Sequence, residues 1–405
     1  MQKFSKSVEG KAMSEFGNFI KAAGVGGGGV NALEFLRGAM CGGKCLAINT
    51  DAKSLEASSA EEKILIGKSV TRSMGAGGDI SLAERAAQDD IDAITSALEN
   101  VKLLFLTVSL GGGTGSAAAP VVAKIAKDAG AFVIAFCTLP FAFEGGAKTR
   151  IAENAFKKIR SICDAAIALP NDEMLAESAQ ANILAAYEKA SMCARVAAGS
   201  ISSLISEGGL INADFNSLKN TFHTNAPHRT AFSFGSGQGA NYIAKAMKSF
   251  DSFPALKSKF SAQKANRLLV GVRAGSDMSM EQLKQTLMAA AAKFCNSESV
   301  IFGVKIEQSF QKRLEIAAIG LEISDELFEE ETPQEPEPPA ETKPAPRQRA
   351  RKPQKNPATQ GEFEFVDIDL KRGFFEETPR NIYNKEDLDI PTFMRRGRKI
   401  PHSKK

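Results

Sequence analysis

From Phe19 onward the chain alternates short apolar runs with longer stretches whose apolar residues recur at helical spacing. The apolar runs predict strands at Phe19–Ala23, Cys45–Asn49, Leu103–Leu110, Ala131–Thr138 and Ala165–Leu169. Between them the spacing predicts helices over Asn31–Met40, Ser81–Asn100, Ala117–Ala129 and Thr149–Ile162. Strands alternating with helices imply parallel βαβ units, and hence a sheet covered on both faces. Asn182–Ser206 reads as one long helix. Its apolar residues, among them Ile183, Leu184, Val196, Ile201 and Ile205, are not confined to one narrow stripe, which predicts burial between two layers. A second globular segment follows, with strands at Thr230–Phe234, Arg267–Arg273, Ser299–Val304 and Leu314–Leu321 and a helix over Met280–Cys295. The predicted class is α/β: a Rossmann-like parallel-sheet domain, a long central helix and a smaller α+β domain.

The pattern collapses after Ile323. Thr332–Ala358 is rich in Pro, Glu, Gln, Lys and Arg with almost no large apolar residues. Such a segment cannot bury enough surface to offset its ordering entropy. The expected organisation is a tail at 1–18, a first domain at 19–181, a central helix at 182–207, a second domain at 208–323, a disordered linker at 324–384 and a terminal peptide at 385–405.

Composition narrows the function classes. The net charge of +4, from 51 basic and 47 acidic residues, does not argue for nucleic-acid binding. The six cysteines form no CxxC pair, so reduced, mostly buried thiols are expected rather than a zinc site or disulfide framework. No signal-peptide run and no stretch of 18 apolar residues is present, which predicts a cytoplasmic protein.

Two glycine loops carry the chemistry. Gly24-Val-Gly-Gly-Gly-Gly-Val-Asn31 follows the first strand and opens a helix. Glycine lets backbone approach an anion, and a helix start supplies unpaired N–H groups. Gly24, Gly26 and Gly29 also satisfy GxGxxG, with Asp51 where a dinucleotide site needs an acid, so a Rossmann oxidoreductase is a rival reading. The second loop, Gly111-Gly-Gly-Thr-Gly-Ser116, again joins a strand to a helix. A dinucleotide fold does not need it, whereas a polyphosphate held between two cradles does. No GxxxxGK[ST] run occurs.

GGGTGS resembles the signature loop of the bacterial tubulin-like cell-division family, FtsZ. Ile20–Ala32, Asn49–Asp51, Gly75–Gly78, Pro140–Gly145 and Leu169–Asp172 resemble that family's other loops. The resemblance spans roughly residues 19–323 and resumes at the tail. It implies a tubulin/FtsZ-like fold, a GTP/GDP ligand with Mg²⁺, and head-to-tail filaments at the division site. By position, Gly27, Gly28, Gly29, Val30 and Asn31 would line phosphates and ribose, and Gly111, Gly112, Gly113, Thr114, Gly115 and Ser116 would hold the phosphates. Glu144 would contact the ribose, Lys148 would stand where relatives carry Arg, and Asn171 and Tyr187 would contact the base. Asn212 and Asp214 match the loop that one subunit inserts over the next subunit's nucleotide, with Asp214 activating water. Catalysis would thus be that of a GTPase completed across the subunit interface.

The departures are specific. The loop's usual second acid falls on Ser217, which weakens expected turnover. The helix Asp that usually reads guanine falls on Met192, which offers no carboxylate. Ala117 replaces a frequent Gly. An FtsZ-like paralogue that polymerises with little or no hydrolysis is therefore the alternative to an active division GTPase. Glu386–Arg396 resembles the family's C-terminal peptide, with Leu388, Ile390, Phe393 and Met394 as apolar anchors. It implies an FtsA-type membrane-tethering adaptor as partner, so contact with the membrane would be indirect. The linker of roughly 60 residues would span on the order of 40 Å as a flexible chain.

Overall fold

Both faces of the first sheet are dry, and the strands show why. In β1 (Ile20–Val25), Ile20 and Ala22 join one apolar cluster while Ala23 and Val25 join another. The same alternation runs through Phe105 and Leu106, and through Ile134 and Ala135. Period-2 side chains that are apolar on both faces need helices on each side.

The computed structural model describes residues 19–175, 183–205, 215–294 and 299–323 apart from positions 41, 223, 225, 227, 254, 255, 257, 260 and 263, together with 382–383 and 386–387. After β1 come α1 (Gly26–Leu36), β2 (Lys44–Asn49), α2 (Ala52–Ala57), β3 (Glu62–Leu65), α3 (Lys68–Thr71), α4 (Ile80–Asp89) and α5 (Ile91–Leu98). Then follow β4 (Leu103–Ser109), α6 (Gly113–Asp128), β5 (Phe132–Leu139), α7 (Gly146–Ile162), β6 (Ala165–Pro170) and α8 (Asn171–Leu175). The six strands form one parallel sheet in the order β3-β2-β1-β4-β5-β6. The order reverses between β1 and β4, which makes the crevice beyond their C-terminal ends the expected ligand position.

The long helix α9 (Ile183–Ile205) buries Cys193, Val196, Ala197 and Ile201 in a cluster shared with both sheets. After α10 (Phe215–Phe222) comes the second sheet, with β7 (His228–Gln238), α11 (Tyr242–Asp251), β8 (Arg267–Ala274), α12 (Met280–Lys293), β9 (Ser299–Ile306) and β10 (Arg313–Ile323). Its order is β7-β10-β8-β9, antiparallel except for the β8–β9 pair. Edge-to-face contacts such as Phe136–Phe232, with centroids 5.9 Å apart, tie it to the first sheet.

Three expectations need amendment. Ser81–Asn100 is two helices, broken at Asp90, whose carboxylate accepts a 2.6 Å hydrogen bond from the Gly67 N–H. Both glycine loops are largely helix: α1 starts at Gly26 and α6 at Gly113. The strand predicted at Thr230–Phe234 runs on to Gln238. The expected tail at 1–18 lies outside the described residues. So do the linker and terminal peptide, except for a two-pair ladder of Ile382 with Asp387 and Tyr383 with Glu386. Among the described residues no helix is long and apolar enough to cross a membrane. Four cysteines, Cys45, Cys137, Cys163 and Cys193, are buried, and burial pushes the Cys45 thiol up to about 12, leaving it unreactive.

His228, at the start of β7, is 5% exposed. Its Nδ1 lies 3.3 Å from the Ala226 carbonyl oxygen, and its Nε2 has no partner among the described residues. Burial first, then the Arg160 and Lys127 charges, hold its pKa below the ordinary value; the Ala226 bond and Asp164 oppose them. The unfolded chain therefore binds the proton more readily. The stability contributed by neutral His228 is complete above about pH 6.5 and is lost as pH falls from there toward the folded pKa. Urea midpoints are expected to drop between pH 7.5 and 5.5, with a shallower drop in His228→Gln.

Candidate nucleotide site

Two helices of the first domain, α2 and α4, are capped at their starts by a side chain. Asp51 caps α2 by accepting from the Lys53 N–H at 3.0 Å, and Asp79 caps α4 by accepting from the Leu82 N–H at 3.1 Å. The helices at the switch point differ. Val25 before α1 and Gly112 before α6 supply no side-chain cap, and neither helix has an acid in its first turn. Their leading N–H groups are left for an outside acceptor, at the positive ends of two helices.

The two loops touch. Gly26 has φ +72°, and a Cβ there would lie 2.8 Å from the Gly115 nitrogen. Gly111 has φ +99°, which lets the chain turn from β4 into the loop. Together they form one cup of about 270 Å³, lined by Gly26–Gly28, Ser109–Gly115, Pro140, Glu144 and Lys148. A second, largely apolar cleft of about 460 Å³ shares Gly28 and Ser109 with the cup. It runs between α1 and α9 over the ends of β4, β5 and β6, with Asn31, Phe35, Phe136 and Ala194 in its walls. A polar cup opening into a flat apolar cleft matches the shape of a phosphorylated nucleoside.

The predicted residues divide by role. Gly27, Gly28, Gly111–Gly115, Glu144 and Lys148 line the cup, and Asn31 lines the cleft. Gly29 and Val30 line neither: Val30 is in the core, and a Cβ on Gly29 would meet the Thr107 carbonyl oxygen at 2.4 Å. Ser116 is buried and accepts from the Gly111 N–H at 2.9 Å, so its hydroxyl braces the loop. Thr114 shares a 2.7 Å hydroxyl contact with Thr50. Glu144 accepts from the Phe141 N–H at 2.9 Å and from Lys148 Nζ at 3.0 Å. Asn171 is buried at the β6 end, and its Oδ1 has no partner among the described residues. Tyr187 lies on α9, with its side chain outside the described set; Asn212 and Asp214 lie wholly outside it. Met192 does not line the cleft among the described residues.

Sequence reasoning missed Ser109, Thr138 and Glu188. The first two sit at strand C-terminal ends, a signal that was available; Glu188 had none. It also left Asp51 open as a dinucleotide acid, whereas its carboxylate is committed to capping α2. A larger recess, about 1000 Å³, lies beyond Pro140 beside Asp172, Glu173 and Lys259 and contains no residue of either glycine loop.

Fold and site define a Rossmann-like nucleotide-binding protein with a double-glycine-loop phosphate cup. The Tubulin/FtsZ family GTPase domain matches residues 19–179. The chain is 32% identical over 317 residues to Cell division protein FtsZ 1 of Pyrococcus horikoshii, covering 78% of this chain and 84% of that one. A similar relative from Pyrococcus furiosus is 32% identical over 319 residues, with the same coverage. Among solved structures, the empty FtsZ dimer of M. jannaschii aligns with TM-score 0.68 at 29% identity over 75% of this chain and 88% of that one. CetZ2 of Haloferax volcanii, a GTPγS-bound protofilament, shares the fold with TM-score 0.61 at 22% identity, over 77% and 96%. The chain belongs to the Tubulin/FtsZ family, as a divergent member whose relatives named here are archaeal.

Proposed function

We propose that this chain is a GTP-binding cell-division protein that polymerises head to tail and hydrolyses GTP at the junction between subunits. The cup holds the phosphates through the α1 and α6 N–H groups, with Thr114 beside them. Glu144 and Asn31 meet the ribose. Asn171 and Tyr187 contact the base, and Asn212 and Asp214 of a second copy position and activate water. Mg²⁺ bound with the nucleotide would supply positive charge to its phosphates.

One observation carries the reading in trans. Asp214 directly precedes α10, and α10 is anchored at the wrong end of its own sheet. Lys219 Nζ donates to the Gly130 carbonyl oxygen at 3.0 Å, and Phe222 packs edge-on against Phe132, the first residue of β5. The cup lies past the other end of that eight-residue strand, about 25 Å away. The eight residues of α10 span only about 12 Å, so Phe215, at the start of α10, falls short of the cup of its own chain. A stacked second copy brings the two ends together.

Ser217, exposed on α10 where relatives carry an acid, favours the alternative of filaments with weak turnover. Phosphate release measured against protein concentration, with GTP and with ATP, separates the readings. Cooperative release above a threshold concentration, with GTP only, is expected. Filaments without release establish the weak-turnover paralogue, and neither filaments nor release defeats both. The terminal peptide at 385–405 is assigned to a membrane-tethering adaptor, which would hold the filaments at the division site.

A further inference from the structure

The apolar cleft contains one charged group. Among the described residues that line it, Glu188 is the single ionisable side chain. It is exposed on α9, and it makes no hydrogen bond or ion pair within the described residues. Ser191, one turn on, lines the same wall, as do Ala190 and Ala194. At about 100° per residue these four occupy an arc of about 160° with Glu188 at its rim, and Met192 falls about 40° beyond that rim. The helix therefore offers the cleft a carboxylate one turn before the position where relatives carry theirs.

We propose that Glu188 reads the guanine edge. The inference rests on the reading of cup and cleft as a nucleotide site. With phosphates in the cup, a purine extends along the apolar walls and brings its Watson–Crick edge to the α9 rim. Guanine presents two parallel donors there, the N1–H and the 2-amino group, and a carboxylate accepts both through its two oxygens. Hypoxanthine lacks the 2-amino group. Adenine sets an N1 lone pair against the carboxylate, which repels it. An otherwise unpartnered acid at the mouth of an apolar cleft thus selects a 2-amino-6-oxopurine, and Met192 costs the site no selectivity.

The test is equilibrium binding of GDP, IDP and ADP to the full chain freed of nucleotide. Wild type is expected to favour GDP over IDP by about tenfold, and over ADP by more. Glu188→Ala is expected to lose on the order of 10–100-fold in GDP affinity, to bind GDP and IDP equally, and to bind ADP at least as tightly as wild type, which certifies an intact fold. Glu188→Gln, isosteric, is expected to lose the same GDP preference because its amide N–H₂ opposes one guanine donor. Met192→Ala is expected to leave the GDP-to-IDP ratio unchanged. Guanine preference retained in both Glu188 variants, or a wild type that does not discriminate among bound purines, overturns the proposal. A wild type that binds none of the three defeats the nucleotide-site reading itself.

Discussion

Asp214→Ala is expected to lower GTP turnover by on the order of 10²–10⁴-fold while GDP affinity stays within about twofold, since the role proposed for it is that of a general base and not of a binding group. With Ser217 at the neighbouring acidic position, no second carboxylate of that loop compensates. The decisive measurement is a mixture. Gly26→Ala forces a non-glycine residue to φ +72° and sets a Cβ 2.8 Å from the Gly115 nitrogen, which closes the cup while leaving the Asp214 loop whole. Each variant alone is expected to be inactive. An equal mixture is expected to recover turnover, because an intact cup on one chain then meets an intact loop on the other. Steady-state phosphate release reads the result. No recovery, with both variants folded and the Asp214 variant still binding GDP, would mean that the site is not shared between chains.

The second large effect lies in the second sheet. Glu315 is fully buried on β10, where Arg273 Nη1 of β8 lies 3.2 Å from Oε2 and Arg313 Nη2 pairs with Oε1. Arg195, from the long helix, approaches to 3.7 Å. Arg273 also holds Glu307 at 3.0 Å, and Arg273 and Arg313 both cover the Phe310 ring, at 4.6 and 4.8 Å. Glu315→Ala leaves three guanidiniums facing one another without their shared counter-charge. Broken buried pairs cost about 3–5 kcal/mol; because Arg195 and Arg313 reach solvent, a loss of about 3 kcal/mol is expected. Urea denaturation monitored by circular dichroism measures it, and a midpoint within about 0.3 M of wild type would refute it. The network also joins α9 to the second sheet, so loss of Arg195 alone should be milder, about 1 kcal/mol.

Residues 19–170 were the most legible part of the chain. Strands buried on both faces read as continuous apolar runs, and the residues of β1, β2, β4, β5 and β6 announced themselves that way. Where the reading slipped, a local reason exists. β3 is a short edge strand of mixed polarity, Glu62–Leu65, with no apolar run to mark it. The C-terminal half of β7 is hidden by Gly235 and Gly237, which sit under α11: a Cβ at either would come within 2.1 Å of an α11 carbonyl oxygen. A residue chosen for close helix approach carries no strand signal.

The site divides in the same way. Glycine runs placed just after apolar strands determined, from sequence alone, that backbone N–H groups would face an anion at two strand ends, because that follows from local conformation. Tertiary structure decided the rest. Parallel pairing of β1 with β4 brought the two loops into one cup, and register set Ser109 at its edge and Thr138 in the cleft beside it. The rotation of α9 about its axis turned Glu188 and Ser191 toward the cleft and left Met192 beyond its rim. These depend on contacts between segments up to 160 residues apart, and side-chain direction across such distances is settled by packing rather than by any nearby sequence.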